Sequence, residues 1–158
     1  AIPPTDVFVT YINTEKGTIH FLYALENADH IRDGYFYMHS IDEKIDWKTN
    51  HMYTFTMEKD SRHPKRYRVY EVTAGDQSLA RHFIQRGNGY VKKYPENPFA
   101  FVNGIYIPPK LVEKYNISDQ DQIEYIAKRK YNKKKLTWGW AVEEVVAITK
   151  NDTQLEVR

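Results

Sequence analysis

Residues 104–148 constrain the fold more than any other part of the chain. Residues 105–107 resemble a strand, and Pro108 and Pro109 suit the start of a short helix after it. A second strand-like segment then leads into the run 128–135, where six of eight residues are Lys or Arg, and an apolar segment follows. The order strand, helix, turn, strand, cationic loop, strand predicts the closing part of a small β-barrel.

The cationic run 128–135 concentrates the positive charge of the protein. The formal net charge is +2, and without these six cations it would be −4. A local patch of this kind favours a polyanionic partner such as nucleic acid. The alternative is a solvated hairpin tip whose charge keeps a strand edge from pairing with another chain.

The composition bounds the class of protein. A length of 158 residues allows one domain or two small ones. The absence of Cys excludes disulfides and thiolate chemistry and is compatible with a reducing cytoplasm. No apolar run reaches the ~18 residues of a membrane helix, so no membrane partner is expected. Because the chain begins with Ala1, we expect a fragment of a longer protein.

Alternating apolar and polar residues predict two similar sets of strands. In the first half the predicted strands are 7–12, 18–25, 35–39, 51–59 and 66–72, with a polar loop at 26–34. In the second half they are 79–85, 90–94, a segment around 105–107, 123–128 and 136–148, with a turn at 87–89. A junction at 75–78 gives domains 1–75 and 76–158, with a frayed tail from residue 150. The predicted fold is mainly β, with two small five-stranded Greek-key OB-type barrels in tandem and a short helix in the second.

Three segments of the first half carry a family pattern. Residues 9–17 combine a strand, an Asn and a Lys-Gly turn, and Thr-Ile-His-Phe follows; 34–41 and 51–58 are the other two segments. Together they resemble a cold-shock domain, over about residues 7–74. The resemblance implies that bases are contacted at six positions: Tyr11, Thr18, His20, Phe36, Met38 and His39. Alternatively, these side chains only form a barrel face.

The second half carries a different pattern at 87–92, 105–109, 114–117, 121–123 and 142–145. These segments are similar to the N-terminal RNA-binding domain of the transcription terminator Rho, over about residues 80–148. The resemblance implies that Tyr90 and Tyr106 stack on or enclose bases and that Lys92 contacts phosphate.

Two further groups of residues enter the predicted site or border it. The basic residues assigned to nucleic acid are Lys128, Arg129, Lys130, Lys133, Lys134 and Lys135. Trp138 and Trp140 share one strand face by their spacing of two. We interpret them as core or inter-domain packing in preference to a stacking platform.

No catalytic pattern is present. The six His residues show no helical metal-binding spacing, and there is no phosphate-binding Gly-rich loop. The prediction is therefore a cytoplasmic protein that is not an enzyme, with no cofactor, metal or catalytic residue. It binds single-stranded RNA or DNA, with RNA favoured and little sequence preference. The alternatives are a protein-interaction or regulatory module with degenerate cold-shock-like barrels, and an accessory part of a longer chain with further domains.

Overall fold

The computed structural model describes residues 2–26 and 30–151. Contacts divide the chain into two compact units, residues 1–83 (unit 1) and 84–158 (unit 2). Both units are built mainly from strands, so the predicted fold class is confirmed. In the described ranges, no helix is long and apolar enough to cross a membrane.

Unit 1 is a five-stranded antiparallel sheet with the spatial order β3-β2-β1-β4-β5. Its strands are β1 (Thr5–Asn13), β2 (Thr18–Leu25), β3 (His30–Tyr37), β4 (His51–Lys59) and β5 (Tyr67–Ala74). A parallel bridge between Tyr35 and Arg66 joins the two edges of the sheet. The strand circuit is therefore 1-2-3-5-4, as in an OB-type barrel. A 3₁₀ helix, Met38–Ser40, follows β3.

The core of unit 1 comes from alternate residues of these strands. Val7 and Val9 of β1 pack with Phe21, Phe36 and Phe55, and all five side chains are fully buried. This alternation is what a strand with one buried face requires. The predicted strands 18–25 and 51–59 coincide with β2 and β4.

Residues 76–83 pack on the outer face of unit 1. Phe8 points away from the core and pairs in register with Leu22 and Met52. The Phe83 ring stacks on Phe8 with 5.3 Å between ring centres, and the Gln77 side chain bonds both the N–H and the C=O of Met52 at 2.9 Å. The boundary between units consequently falls after residue 83, whereas the sequence placed it after residue 75. Residues 77–82 form a 3₁₀ helix, so the strand predicted at 79–85 is wrong over residues 79–82.

Unit 2 is a closed barrel with the order β10-β8-β7-β6-β9. Its elements are β6 (Ile84–Lys92), β7 (Ala100–Val102), β8 (Ile105–Ile107), α1 (Pro109–Lys114), β9 (Gln122–Asn132) and β10 (Thr137–Thr149). Tyr106 of β8 pairs in parallel with Ala141 of β10, which closes the same 1-2-3-5-4 circuit as in unit 1. The helix that begins at the two prolines is present as predicted, and Leu111 and Val112 bury its apolar side.

The predicted turn at 87–89 is wrong, because both glycines lie inside β6. A Cβ on Gly87 would lie 2.5 Å from the Tyr125 hydroxyl oxygen, and one on Gly89 would lie 2.7 Å from the Asn103 side-chain oxygen. The glycines therefore allow two side chains to approach the strand closely. The tight turn is instead at Asn103 and Gly104, between β7 and β8, where φ is 50° and 76°.

A predicted loop and the predicted tail both contain residues with defined partners. Residues 30–34, assigned to the loop 26–34, belong to β3 because they pair with β2 from His30 opposite Leu25 onward. Lys150, assigned to the tail, forms an ion pair with the buried Asp121 carboxylate at 2.5 Å. The rest of the predicted tail, from residue 152, lies outside the described residues.

Candidate nucleic-acid interface

A row of rings lies on the outer face of unit 1. We call it the aromatic row; its members are Tyr11, His20, Tyr35, Tyr37 and His39. Successive ring centres are 5.3, 5.7, 6.0 and 5.5 Å apart. The Tyr11 side chain is 54% exposed. Such a row offers several ring faces on which unpaired bases can stack.

Strand register and one bulge create this row. Tyr11 pairs with His20, and His20 pairs with Tyr35, so the three rings lie side by side across β1, β2 and β3. Val7 and Val9 face the core, and regular alternation would also send residue 11 inward. The pairing of β1 with β2 shifts by one residue between Val9 and Tyr11, and this bulge turns the Tyr11 ring outward.

Three positions implied by the cold-shock resemblance do not offer a stacking surface. The Phe36 ring is fully buried against Phe21 and Phe55, and Met38 packs at the edge of the same core. Thr18 is 4% exposed, and its hydroxyl lies 3.0 Å from His20 Nε2. The assignment of Phe36 to the binding face is therefore wrong, because the outward-facing residues of β3 are the tyrosines on either side of it. Met38 follows β3 in the 3₁₀ helix and is only partly buried, so its assignment stays a prediction.

Tyr35 and Tyr37 are the ring positions of β3 that sequence reasoning missed. The structure determines which residues of β3 face outward, because Gly34 and Phe36 are buried while the tyrosines between and after them are not. Gly34 constrains this alternation the most, because a Cβ there would lie 2.4 Å from the Tyr67 ring. A glycine that packing requires on the inner face therefore determines which residues of β3 face outward.

The environment of His20 keeps its imidazole neutral. Partial burial lowers the pKa of His20 below its ordinary value, although the Asp33 carboxylate acts in the opposite direction and Lys16 adds a smaller lowering effect. At neutral pH the ring is therefore an uncharged stacking surface between Tyr11 and Tyr35.

A cationic pocket adjoins the end of the aromatic row. The Arg66 guanidinium lies over the Tyr37 ring, 4.8 Å from its centre. Arg62 and Arg66 each have their Nε 3.8 Å from an oxygen of the buried Asp60 carboxylate. The backbone N–H of Arg62 is the main cause of a lowered pKa at Asp60, so this carboxylate stays ionised. The pocket has a volume of about 250 Å³, and Arg68 and His39 also line it.

In unit 2, three rings cluster on the outer side of β7 and β8. Phe99, Phe101 and Tyr106 have ring centres 5.5 to 6.1 Å apart. Lys92 pairs with Phe101 in register, so its side chain borders this cluster. Tyr90, two residues earlier on β6, is 62% exposed. Phe99 and Phe101 were not predicted, although their spacing of two just before the Asn-Gly turn indicates a strand face.

The cationic run is carried by an overhanging two-stranded ribbon. β9 pairs with β6 only as far as Lys128, whereas its pairing with β10 continues to Asn132 opposite Thr137. We call residues 129–140 the basic ribbon. Lys133, Lys134 and Lys135 are all exposed in its connecting turn.

An open groove of about 460 Å³ joins the basic ribbon to the ring cluster. Its lining includes Phe101 and Tyr106 on one side and Lys130 with Lys133–Lys135 on the other; Tyr131, Asn132, Gly139, Trp140 and Ala141 complete it. The structure thus brings the predicted residues Tyr106, Lys130, Lys133, Lys134 and Lys135 together. Rings beside cations in one groove can receive a base and its phosphate at the same time.

Lys128 and Arg129 differ from the other cations of the run. The Lys128 side chain is half-buried, which lowers the pKa of its ammonium group, while Glu143 partly opposes this effect. The Arg129 guanidinium lies over the Trp140 ring, 4.4 Å from its centre. Trp140 packs against the barrel core, and Trp138 packs against Tyr131 with 5.4 Å between ring centres. Both tryptophans therefore have packing partners.

Two family models match the chain, one for each unit. Residues 1–70 match S1/CSD-like domain 1 of the TOTE conflict systems, and residues 85–145 match S1/CSD-like domain 2 of the same systems. The chain carries two S1/CSD-like domains in tandem. This confirms the tandem cold-shock-like organisation. No curated protein and no solved structure matches the chain.

Among residues 2–26 and 30–151, no group of three or more His, Asp or Glu side chains is placed to hold a metal ion. The chemistry that these two domains offer on their outer faces is that of rings and cations.

Proposed function

We propose that this chain binds single-stranded nucleic acid on the outer faces of its two S1/CSD-like domains. The observation that carries the proposal is the aromatic row of unit 1, in which five rings lie side by side with Arg66 at one end. Unpaired bases expose ring faces that stack on such side chains whatever their sequence. Binding with little sequence preference follows.

Unit 2 supports the same function, with fewer aromatic rings and more lysines than unit 1 at the proposed site. Its groove places Phe101 and Tyr106 opposite the lysines of the basic ribbon. The likeness of the second half to the RNA-binding domain of Rho favours RNA over DNA. Binding in the groove would be electrostatic to a larger extent than on the aromatic row, because four lysines line it.

The proposal includes no catalytic step. We propose a cytoplasmic binding module without cofactor or metal, which acts on its own or as part of a longer protein.

The direct test is a titration of labelled single-stranded RNA and DNA of mixed sequence, followed by fluorescence anisotropy. We expect dissociation constants well below ~10⁻⁴ M at low salt. Replacing Tyr35 and Tyr37 together by Ala removes two ring faces, each worth ~1–3 kcal/mol per stacked base. Tyr94→Ala is the matched control, because this ring is 54% exposed and lies outside the row. Equal affinity of the double variant and the control would refute the assignment of the row.

A second candidate function is a protein-interaction or regulatory module of a conflict system. The observation that favours it is the burial of Thr18 and Phe36, which leaves the cold-shock contact set incomplete. In that case neither domain binds oligonucleotides more tightly than ~10⁻⁴ M at low salt, and the lysines of the basic ribbon do not affect binding.

A further inference from the structure

The turn of the basic ribbon has a fixed backbone. Asn132 pairs with Thr137, and the Asn132 side-chain oxygen accepts the backbone N–H groups of Lys134 and Lys135 at 3.0 and 3.1 Å. The turn therefore does not depend on the lysine side chains. The turn therefore holds the side chains of residues 133–136 at the end of the ribbon.

Leu136 occupies an unfavourable position in this turn. Its φ is 56°, in the left-handed region that a leucine rarely adopts. Its side chain is also 73% exposed, the largest exposed fraction among the described large apolar side chains. The residue thus carries a backbone cost and a hydration cost.

Unit 1 contains the same turn with the expected residue. Asn13 pairs with Thr18, and the Asn13 side-chain oxygen accepts the N–H of Lys16 at 2.9 Å. The position before the threonine is Gly17, with φ 67° and no atom within 4 Å of a Cβ built there. Glycine is the residue that this backbone favours, and unit 2 has leucine in its place.

We propose that Leu136 is an apolar wedge that enters between bases where a single strand meets a duplex. Apolar side chains inserted between base steps unstack them, and neighbouring cations hold the phosphates on either side. Lys133, Lys134 and Lys135 are the cations next to this side chain in the turn. The inference rests on the proposed binding of single strands, and it adds recognition of a junction by one residue.

The groove beside the turn explains why nucleic acid is the ligand. Phe101 and Tyr106 line the same groove as Lys133–Lys135, so a base separated from its partner finds a ring surface next to the wedge. An anionic membrane surface would also bind lysines and a leucine, but it would not require a groove lined by aromatic rings. Leu136-dependent binding to a membrane in place of a fork would therefore overturn the proposal.

The test uses the full chain and a forked duplex with 2-aminopurine at the last base pair before the fork. The fluorescence of this base rises when it loses its stacking. We expect the wild type to raise it on binding and Leu136→Gly to abolish the rise. The same variant should keep its affinity for a single strand within about twofold and should unfold at a higher temperature, because glycine relieves the backbone conformation. Leu136→Phe retains an apolar side chain and should retain the rise.

Three results would overturn the wedge. The first is an unchanged 2-aminopurine signal when the wild type binds the fork. The second is a rise with Leu136→Gly that equals the wild-type rise. The third is binding of the wild type to anionic phospholipid vesicles that Leu136→Gly abolishes, while the fork signal of this variant persists. Failure of the wild type to bind any single strand removes the proposed function itself. Normal single-strand binding without a fork signal removes only the wedge.

Discussion

The three lysines at the end of the basic ribbon allow a quantitative test of the electrostatic part of binding. Lys133, Lys134 and Lys135 are exposed, and the turn that carries them is held by backbone N–H groups bonded to Asn132. Replacing all three by Ala therefore removes three charges and leaves the fold of the turn intact. Lys130, on β9, keeps its charge in this variant.

The expected magnitude follows from counterion release. A protein that neutralises Z phosphates of a single strand loses affinity with salt at a slope of about −0.7Z on logarithmic axes. If each lysine meets one phosphate, the triple variant has a slope smaller by about 2.1. Between 50 and 200 mM salt, the wild type should then lose about 18-fold more affinity than the variant. Its advantage is therefore largest at low salt.

The assay is a fluorescence anisotropy titration of one labelled oligonucleotide at four or more salt concentrations. A matched control replaces Lys44, Lys48 and Lys110, which are exposed and lie outside the groove. Both triple variants change the formal net charge from +2 to −1. Only the loss of local phosphate contacts distinguishes them, because general attraction changes equally.

The slopes decide between the functions. A slope in the ribbon variant that equals the wild-type slope would refute the assignment of these lysines to phosphate, and it would favour the protein-interaction module. Equal reductions in both triple variants would refute it as well, because the effect would then come from net charge.

Two other predictions concern stability and follow from buried polar groups. The lowered pKa of His20 means that protonation favours the unfolded chain, so stability is complete above the unfolded value of about 6.5 and falls as pH decreases toward the folded value. Urea midpoints at pH 7.5 and 5.5 should fall more for the wild type than for His20→Gln, and equal falls would contradict this. Burial raises the pKa of Asp121, but the Lys150 ammonium and the N–H groups of Ser118 and Asn151 outweigh burial and lower it overall. Asp121→Asn should cost about 3 kcal/mol in urea unfolding, because the amide has one acceptor oxygen and cannot accept the N–H groups of both Ser118 and Asn151. Lys150→Gln should cost less, because the N–H groups of Ser118 and Asn151 still compensate the buried carboxylate; a change below ~0.5 kcal/mol in Asp121→Asn would contradict the role of this carboxylate.

Much of the fold could be predicted from local sequence. The strands β2 and β4 were found to the residue, because each alternates over a full strand between polar segments. The helix start was found from its prolines. The turn at 87–89 was wrong, because two glycines in three residues are ordinarily a turn signal. Their real partners, Tyr125 and Asn103, are distant in sequence and invisible to a local pattern.

The binding face was harder to predict than the fold. The resemblance to cold-shock domains implied contacts on β2 and β3, but it selected the buried Phe36 where Tyr35 and Tyr37 face outward. A one-residue error of phase exchanges the two faces of a strand. Tyr11 is exposed, as the resemblance implied, yet its outward position depends on a bulge that no sequence pattern indicated. The phase of a strand depends on long-range packing, and a motif reveals only its presence.

The two domains have the same strand circuit but differ in the side chains on their outer faces: rings predominate in unit 1 and lysines in unit 2. Unit 1 presents five adjacent rings, of which His20 is neutral at physiological pH, with three arginines in the pocket at one end. Unit 2 presents a smaller ring cluster beside lysines on an extended ribbon. Stacking depends little on salt, whereas phosphate contacts weaken steeply with it. Salt should therefore separate the two contributions in the intact chain, because at high ionic strength binding depends mainly on the aromatic row and at low ionic strength the basic ribbon adds to it.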